Sequence, residues 1–139
     1  MYNWYAVDNN ATTKVASNGG KNVCPVGWHI PTDGEWTTLS TYLGGDYAGG
    51  KLKETGTTHW TSPNTGATNS TGFTALPGGN RDSGGTYAYT GTNGNWWSST
   101  EKSITEAWYI GIRYNDTYSL VNKYNHVKVN GFSVRCLKD

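Results

Sequence analysis

Three histidines, ten acidic residues and a pair of adjacent serines are the groups of this 139-residue chain best equipped for chemistry. His29, His59 and His126 stand far apart and match no metal-ligand spacing. His29, inside Gly27-Trp28-His29-Ile30-Pro31, reads instead as a structural hydrogen-bonder. Ser98, Ser99 and Glu101 suggest a hydroxyl nucleophile, but no Gly-x-Ser-x-Gly elbow surrounds them and no base is assigned. Trp96–Glu101 is therefore expected to form a structural turn between core strands. Glycoside cleavage needs two acids converging on one cleft, and nothing visible pairs two here. The expectation is a protein that is not an enzyme, with no catalytic residue, cofactor or metal ligand assigned.

Residues 109–128 carry a different chemistry. Tyr109, Ile110, Arg113, Tyr114, Asn115, Tyr118, Leu120, Asn122, Tyr124, Asn125, His126 and Lys128 alternate tyrosine with asparagine and add cationic groups. Tyrosine supplies rigid amphipathic area and asparagine supplies adaptable hydrogen bonds, the vocabulary of binding surfaces. On this reading all twelve are ligand-binding candidates. The plainer reading is a solvated strand pair whose tyrosines pack on Trp96 and Trp97. Both stay open on the residues alone.

The elements that would position these groups can be read from local signals. Thr32 and Glu35 form a Ser/Thr-x-x-Glu capping box, Trp36, Leu39 and Leu43 make one apolar stripe, and Gly44-Gly45 supplies a stop. A shorter helix is expected around Tyr47–Glu54 with Asp46 as its cap. A strand at Tyr2–Val7 and a long loop over Asp8–Asn22 precede the first helix. Residues 57–95 form a Gly/Thr/Asn-rich tract anchored by Trp60, Phe73, Leu76, Tyr87 and Tyr89. Trp108, Ile110 and Ile112 then alternate with Tyr109, Gly111 and Arg113 as in a strand, and Asn115-Asp116 offers a turn into Tyr118–Asn122. Asn130-Gly131 is a second hairpin signal, and the residues after it read as a last strand with Phe132, Val134 and Cys136 on one side, Ser133 and Arg135 on the other.

Composition agrees with one compact domain over residues 1–139. Apolar residues make up only 35%, so seven Trp and ten Tyr must carry much of the packing, while nineteen Gly point to irregular loops. The net charge of +1 and the aromatic content argue against disorder. Lys51, Lys53 and Arg81 are scattered among neutral residues, which speaks against nucleic acid as a partner. No apolar run approaches the roughly 20 residues that span a bilayer, so membrane insertion is not expected.

Tyr2–Val7, Cys24–Trp36, Gly49–Gly56, Leu76–Asp82, Trp96–Glu101 and Gly131–Asp139 together resemble the hallmark segments, in order, of the Fibrobacter succinogenes major paralogous domain family. Met1 directly precedes Tyr2–Val7, where the family has an upstream strand. Either the domain is excised with an added start, or Tyr2–Val7 serves as the first strand. The resemblance implies an α+β, C-type-lectin-like fold: two helices, a small antiparallel sheet and long irregular loops, in the branch of the formylglycine-generating enzymes. It also implies a Cys24–Cys136 bridge, because such folds link the first helix to the final strand. Two buried free thiols are the alternative, and the compartment decides between them. A catalytic cysteine is disfavoured, since no second cysteine lies near Cys136 in sequence.

Calcium-dependent sugar binding, for which that fold is known, uses a Glu-Pro-Asn or Gln-Pro-Asp loop and a Trp-Asn-Asp strand. Ser62-Pro63-Asn64 lacks the carboxylate and Tyr114-Asn115-Asp116 lacks the tryptophan, too few charged oxygens for calcium. Members of the family are also targets of diversity-generating retroelements in gut bacteria and their phages. These mutate adenines near the 3′ end of the gene, and Tyr, His, Ser, Asp and Ile are reachable from Asn codons. The functional expectation is a non-catalytic module displaying residues 109–128 to a cell-surface protein or glycan. It would sit in a phage tail adhesin or an exported bacterial surface lipoprotein, hence extracellular, on the cell surface or on a virion. The alternatives are an enzyme of the formylglycine-generating branch and a structural spacer.

Overall fold

The computed structural model of the chain describes residues 1–7, 23–117 and 123–139. The loop expected over Asp8–Asn22 and the segment Tyr118–Asn122 lie outside the described residues. Helix α1 spans Asp33–Tyr42 and starts at the capping box. The Glu35 N–H donates to the Thr32 hydroxyl at 3.2 Å, and the Thr32 N–H donates to the Glu35 carboxylate at 2.8 Å. Two of the orphan donors at the helix start are thus satisfied. Trp36 and Leu43 are buried, with Leu39 packed against the same cluster. The helix ends at Leu43, followed by Gly44 at φ 99°, and the Lys51 ammonium caps the free Leu43 carbonyl at 2.7 Å.

Helix α2 covers only Ala48–Leu52, preceded by a 3-10 turn at Gly45–Tyr47. Asp46 sits inside that turn and is not the cap expected of it; Tyr47 holds the N-cap position and its side chain makes no capping bond there. The left-handed Gly44 and Gly45 start the tighter turn early, which displaces the helix start by a residue or two.

Seven strands are present among the described residues: β1 (Trp28–His29), β2 (Asn80–Arg81), β3 (Tyr87–Ala88), β4 (Asn93–Glu101), β5 (Glu106–Arg113), β6 (Lys123–Val127) and β7 (Leu137–Lys138). They form three small antiparallel sheets, β1-β7, β2-β3 and β4-β5-β6. With the two short helices this is an α+β architecture. Among the described residues no helix is long and apolar enough to cross a membrane.

The central sheet has a core on each face. Trp96 pairs with Ile110, and both join Ile112, Trp36, Leu52 and Trp60 in one cluster. Trp97 pairs with Tyr109 on the opposite face and packs with Trp4, Ile30, Ala107 and Phe132 in a second. Period-two alternation along β4 and β5 thus serves two apolar layers rather than one.

Four further expectations need correction. Trp96–Glu101 is not a turn between strands but lies within β4, with a register shift between Trp97 and Glu101. Tyr2–Val7 is not a strand: Tyr2 makes a single bridge to Phe132, and Trp4–Ala6 is a 3-10 turn. The final segment keeps its alternation, with Phe132, Val134 and Cys136 in the second core, but forms no continuous ladder. Gly131, Phe132 and Ser133 bridge to three different partners, Arg81, Tyr2 and Trp96, and regular pairing resumes only at β7. In the tract 57–95, Trp60 and Phe73 anchor the core, whereas Leu76, Tyr87 and Tyr89 are exposed.

Cys24 and Cys136 are joined in a disulfide, with Cα atoms 5.7 Å apart. The bond sits in the second core and reinforces a β1-β7 sheet of only two residue pairs.

Candidate functional site

The strand register decides which side chains can meet. Asn93 pairs with Arg113, Asn95 with Gly111 and Trp97 with Tyr109, so all six lie on one face of the central sheet. Tyr124 is opposite Tyr109 across β5-β6, and His126 follows two residues later on the same face. At the Trp97 end this face is core. Toward Arg113 it opens into a cavity of about 590 Å3. Asn93, Asn95, Tyr109, Arg113 and His126 supply its sheet side. Asn80 of β2 and Tyr89, Thr92, Tyr114, Asn115 and Phe132 of the flanking segments close it.

Those loops are fixed by their own hydrogen bonds. Tyr89 adopts φ 60°, a region that disfavours non-glycine residues. Its carbonyl accepts the Thr92 N–H at 3.1 Å, the Asn93 N–H at 2.9 Å and the Thr92 hydroxyl at 3.0 Å. The turn is over-determined and leaves the Tyr89 side chain 62% exposed at the cavity. Beneath it Gly79, at φ 70°, runs so close to Tyr89 and Thr90 that a Cβ would collide with their backbone. Strain of this kind is characteristic of functional loops.

Of the twelve candidates, Tyr109, Arg113, Tyr114, Asn115 and His126 line the cavity. Tyr124 backs it by stacking on Tyr109 at 5.5 Å between ring centres. Tyr109 also meets Trp97 edge-on at 6.2 Å, so it serves packing and surface together. Burial raises its hydroxyl pKa, Tyr124 adds to the rise and Arg113 pulls against it. Ile110 is not on this surface; with Ile112, two residues on, it faces the first core and is buried there. Lys128 is also interior, ion-paired with Glu101, donating to the Ile104 carbonyl at 3.1 Å and lying 4.4 Å from the Trp4 ring centre. Asn125, paired with Trp108, takes the opposite parity from Tyr124 and His126. Tyr118, Leu120 and Asn122 lie outside the described residues.

Ser62-Pro63-Asn64 and Tyr114-Asn115-Asp116, the segments compared with calcium-lectin motifs, belong to loops that meet: the Thr65 N–H donates to the Tyr114 carbonyl at 2.7 Å. Between the loops stands an ammonium group. Lys53, fully buried, reaches from the end of α2 to donate to the carbonyls of Thr65 (2.7 Å), Arg113 (3.1 Å) and Asp116 (3.0 Å). Desolvation lowers its pKa to about 8 against an upward pull from Asp116. The cation fixes the turn that carries Arg113, Tyr114 and Asn115 into the cavity wall.

His29 behaves as a hydrogen-bonder. Its Nδ1 lies 2.6 Å from the Asp139 carboxylate and its Nε2 lies 3.0 Å from Glu35. Burial alone would lower its pKa, but the bonds to Asp139 and Glu35 outweigh burial and raise it.

Asn80, Tyr89, Thr92, Asn93, Asn95 and Phe132 line the cavity and are not among the twelve candidates. For Asn93 and Asn95 a signal existed, since antiparallel pairing of Trp97 with Tyr109 places both on the face of Arg113. No curated protein and no solved structure matches the chain. The family model of the Fibrobacter succinogenes major domain matches residues 1–138, and the chain belongs to that family.

Proposed function

We propose that the chain is a non-catalytic ligand-recognition module of the C-type-lectin-like kind, binding a cell-surface protein or glycan in the cavity at the Arg113 end of the central sheet. One observation carries this reading. Tyrosine, asparagine, arginine and histidine from four segments converge on a single concavity backed by a rigid, two-sided core. Adaptable amides and amphipathic rings on a fixed frame suit recognition. The loops would then tolerate variation at their tips, which fits a diversified variable protein carried on a phage tail or an exported surface lipoprotein.

Two measurements test it. Fluorescently labelled chain should bind whole gut-bacterial cells, and Tyr89→Ala with Asn115→Ala should remove that binding while leaving the urea midpoint in place. Retained binding by the double variant would refute the cavity as the site. For diversification, the genome should hold a near-identical repeat differing at adenines beside a reverse transcriptase gene; its absence would refute that part.

A further inference from the structure

We propose that the cavity takes an acidic sugar, a pyranose carrying a carboxylate, with Arg113 receiving the carboxylate. This rests on the recognition reading and names its ligand class. Arg113 is exposed at the cavity, and among the described residues its guanidinium makes no hydrogen bond or ion pair. Among the described residues no Asp or Glu lines the cavity to answer it. Asp116, the acid closest to it in sequence, acts on Lys53, whose ammonium its carbonyl also accepts at 3.0 Å. A guanidinium fork left uncompensated in a concave site matches a planar carboxylate, which it can hold through two parallel bonds.

The rest of the wall suits the sugar itself. The carboxamides of Asn80, Asn93 and Asn115 make no hydrogen bond among the described residues, while Asn95 spends its Nδ2 on the Gly79 carbonyl at 3.2 Å. A carboxamide both donates and accepts, as neighbouring ring hydroxyls require. Tyr89 offers an exposed ring face, whereas the Tyr109 ring is already packed against Tyr124 and Phe132. One cation among neutral amides is too little for a phosphate backbone, and an apolar ligand would leave the amides unpaired.

Calorimetric titration of the whole chain decides the matter with two pairs of probes. Trigalacturonate is compared with its methyl ester, which keeps the ring hydroxyls and removes the charge, and sialyllactose with lactose. At least one acidic probe should bind, and its neutral partner about ten- to a hundredfold more weakly, the loss of a charge-assisted contact. Arg113→Gln should lose the same factor for the acid and nothing for the neutral sugar, with its melting curve unchanged. Equal binding of acid and neutral partner, or an Arg113→Gln variant that binds as the wild type, would overturn the proposal. So would tighter binding of sulfated lactose than of sialyllactose. Failure of every sugar while whole cells are still bound through Tyr89 and Asn115 would overturn the acidic ligand and leave the recognition reading standing.

Discussion

Replacing Cys24 and Cys136 together by alanine probes the covalent tie in the second core. The residues are 112 apart in sequence, and closing a loop of that length restricts the unfolded chain by about 5 kcal/mol in the chain-entropy model. Alanine rather than serine avoids placing a hydroxyl among Trp97, Ile30 and Phe132. The native state offers little local compensation: β1 and β7 share two residue pairs, assisted by the Asp139 N–H to the Gly27 carbonyl at 3.0 Å. A loss of about 5 kcal/mol is comparable with the whole stability of many domains. The urea midpoint should therefore fall by about 2 M or more for a typical dependence on urea. Tryptophan fluorescence follows the transition, and wild type in reductant should coincide with the double variant. Hydrogen exchange should accelerate first at Trp28 and Asp139, where the short sheet frays. A midpoint lowered by less than about 0.5 M would mean that the bridge restrains little of the unfolded ensemble, and the argument from loop length would fail.

Thr32→Ala removes the hydroxyl that caps α1 and should cost about 1 kcal/mol in urea denaturation; an unchanged midpoint would show that the cap contributes nothing. His29→Gln tests the ion-paired junction. The folded pKa of His29 is raised, so its contribution is complete below about 6.5 and is lost as pH rises through the higher folded value, while that of Glu35 is lost as pH falls through its lowered one. The stability difference between wild type and variant should thus peak near pH 5–6 and vanish in mild alkali, and a pH-independent difference would contradict it. Lys53 runs the other way, because its folded pKa, about 8, lies below its ordinary 10.5. Between these values the unfolded chain holds a proton that the folded chain does not, so stability should rise with pH by about 3 kcal/mol relative to Lys53→Met. Parallel pH profiles for the two proteins would refute the assignment.

How much of this was legible in the sequence depended on the range of the signal. Helix α1 was read correctly because its cap, stripe and stop lie within fourteen residues of one another, Thr32 to Gly45. The alternation along 108–113 located β5, but candidates taken by residue type ignored its parity. Parity alone separates Ile110 from Tyr109 and Arg113, and pairing then adds Asn93 and Asn95. Other features rest on distant partners that no local pattern announces. Lys128 reads as a surface cation until Glu101, 27 residues away, is found against it. The tract 57–95 carries no period at all, because its shape comes from left-handed residues such as Tyr89 and Gly79 and from single bridges to other segments.

The Lys53 ammonium has a consequence for how the loops beside the cavity are supplied with charge. Three main-chain carbonyls, from the Thr65 loop and from the end of β5 and the turn after it, converge on one point, an arrangement that elsewhere waits for an ion from solution. Here the counter-charge is delivered by the polypeptide itself on a four-carbon stem. It cannot be diluted, chelated or exchanged, and its position is occupied as soon as α2 docks. The order of the loop pair then calls for no dissolved cation. What a dissociable ion would gain by arriving and leaving, the ability to switch, is given up for constancy across environments.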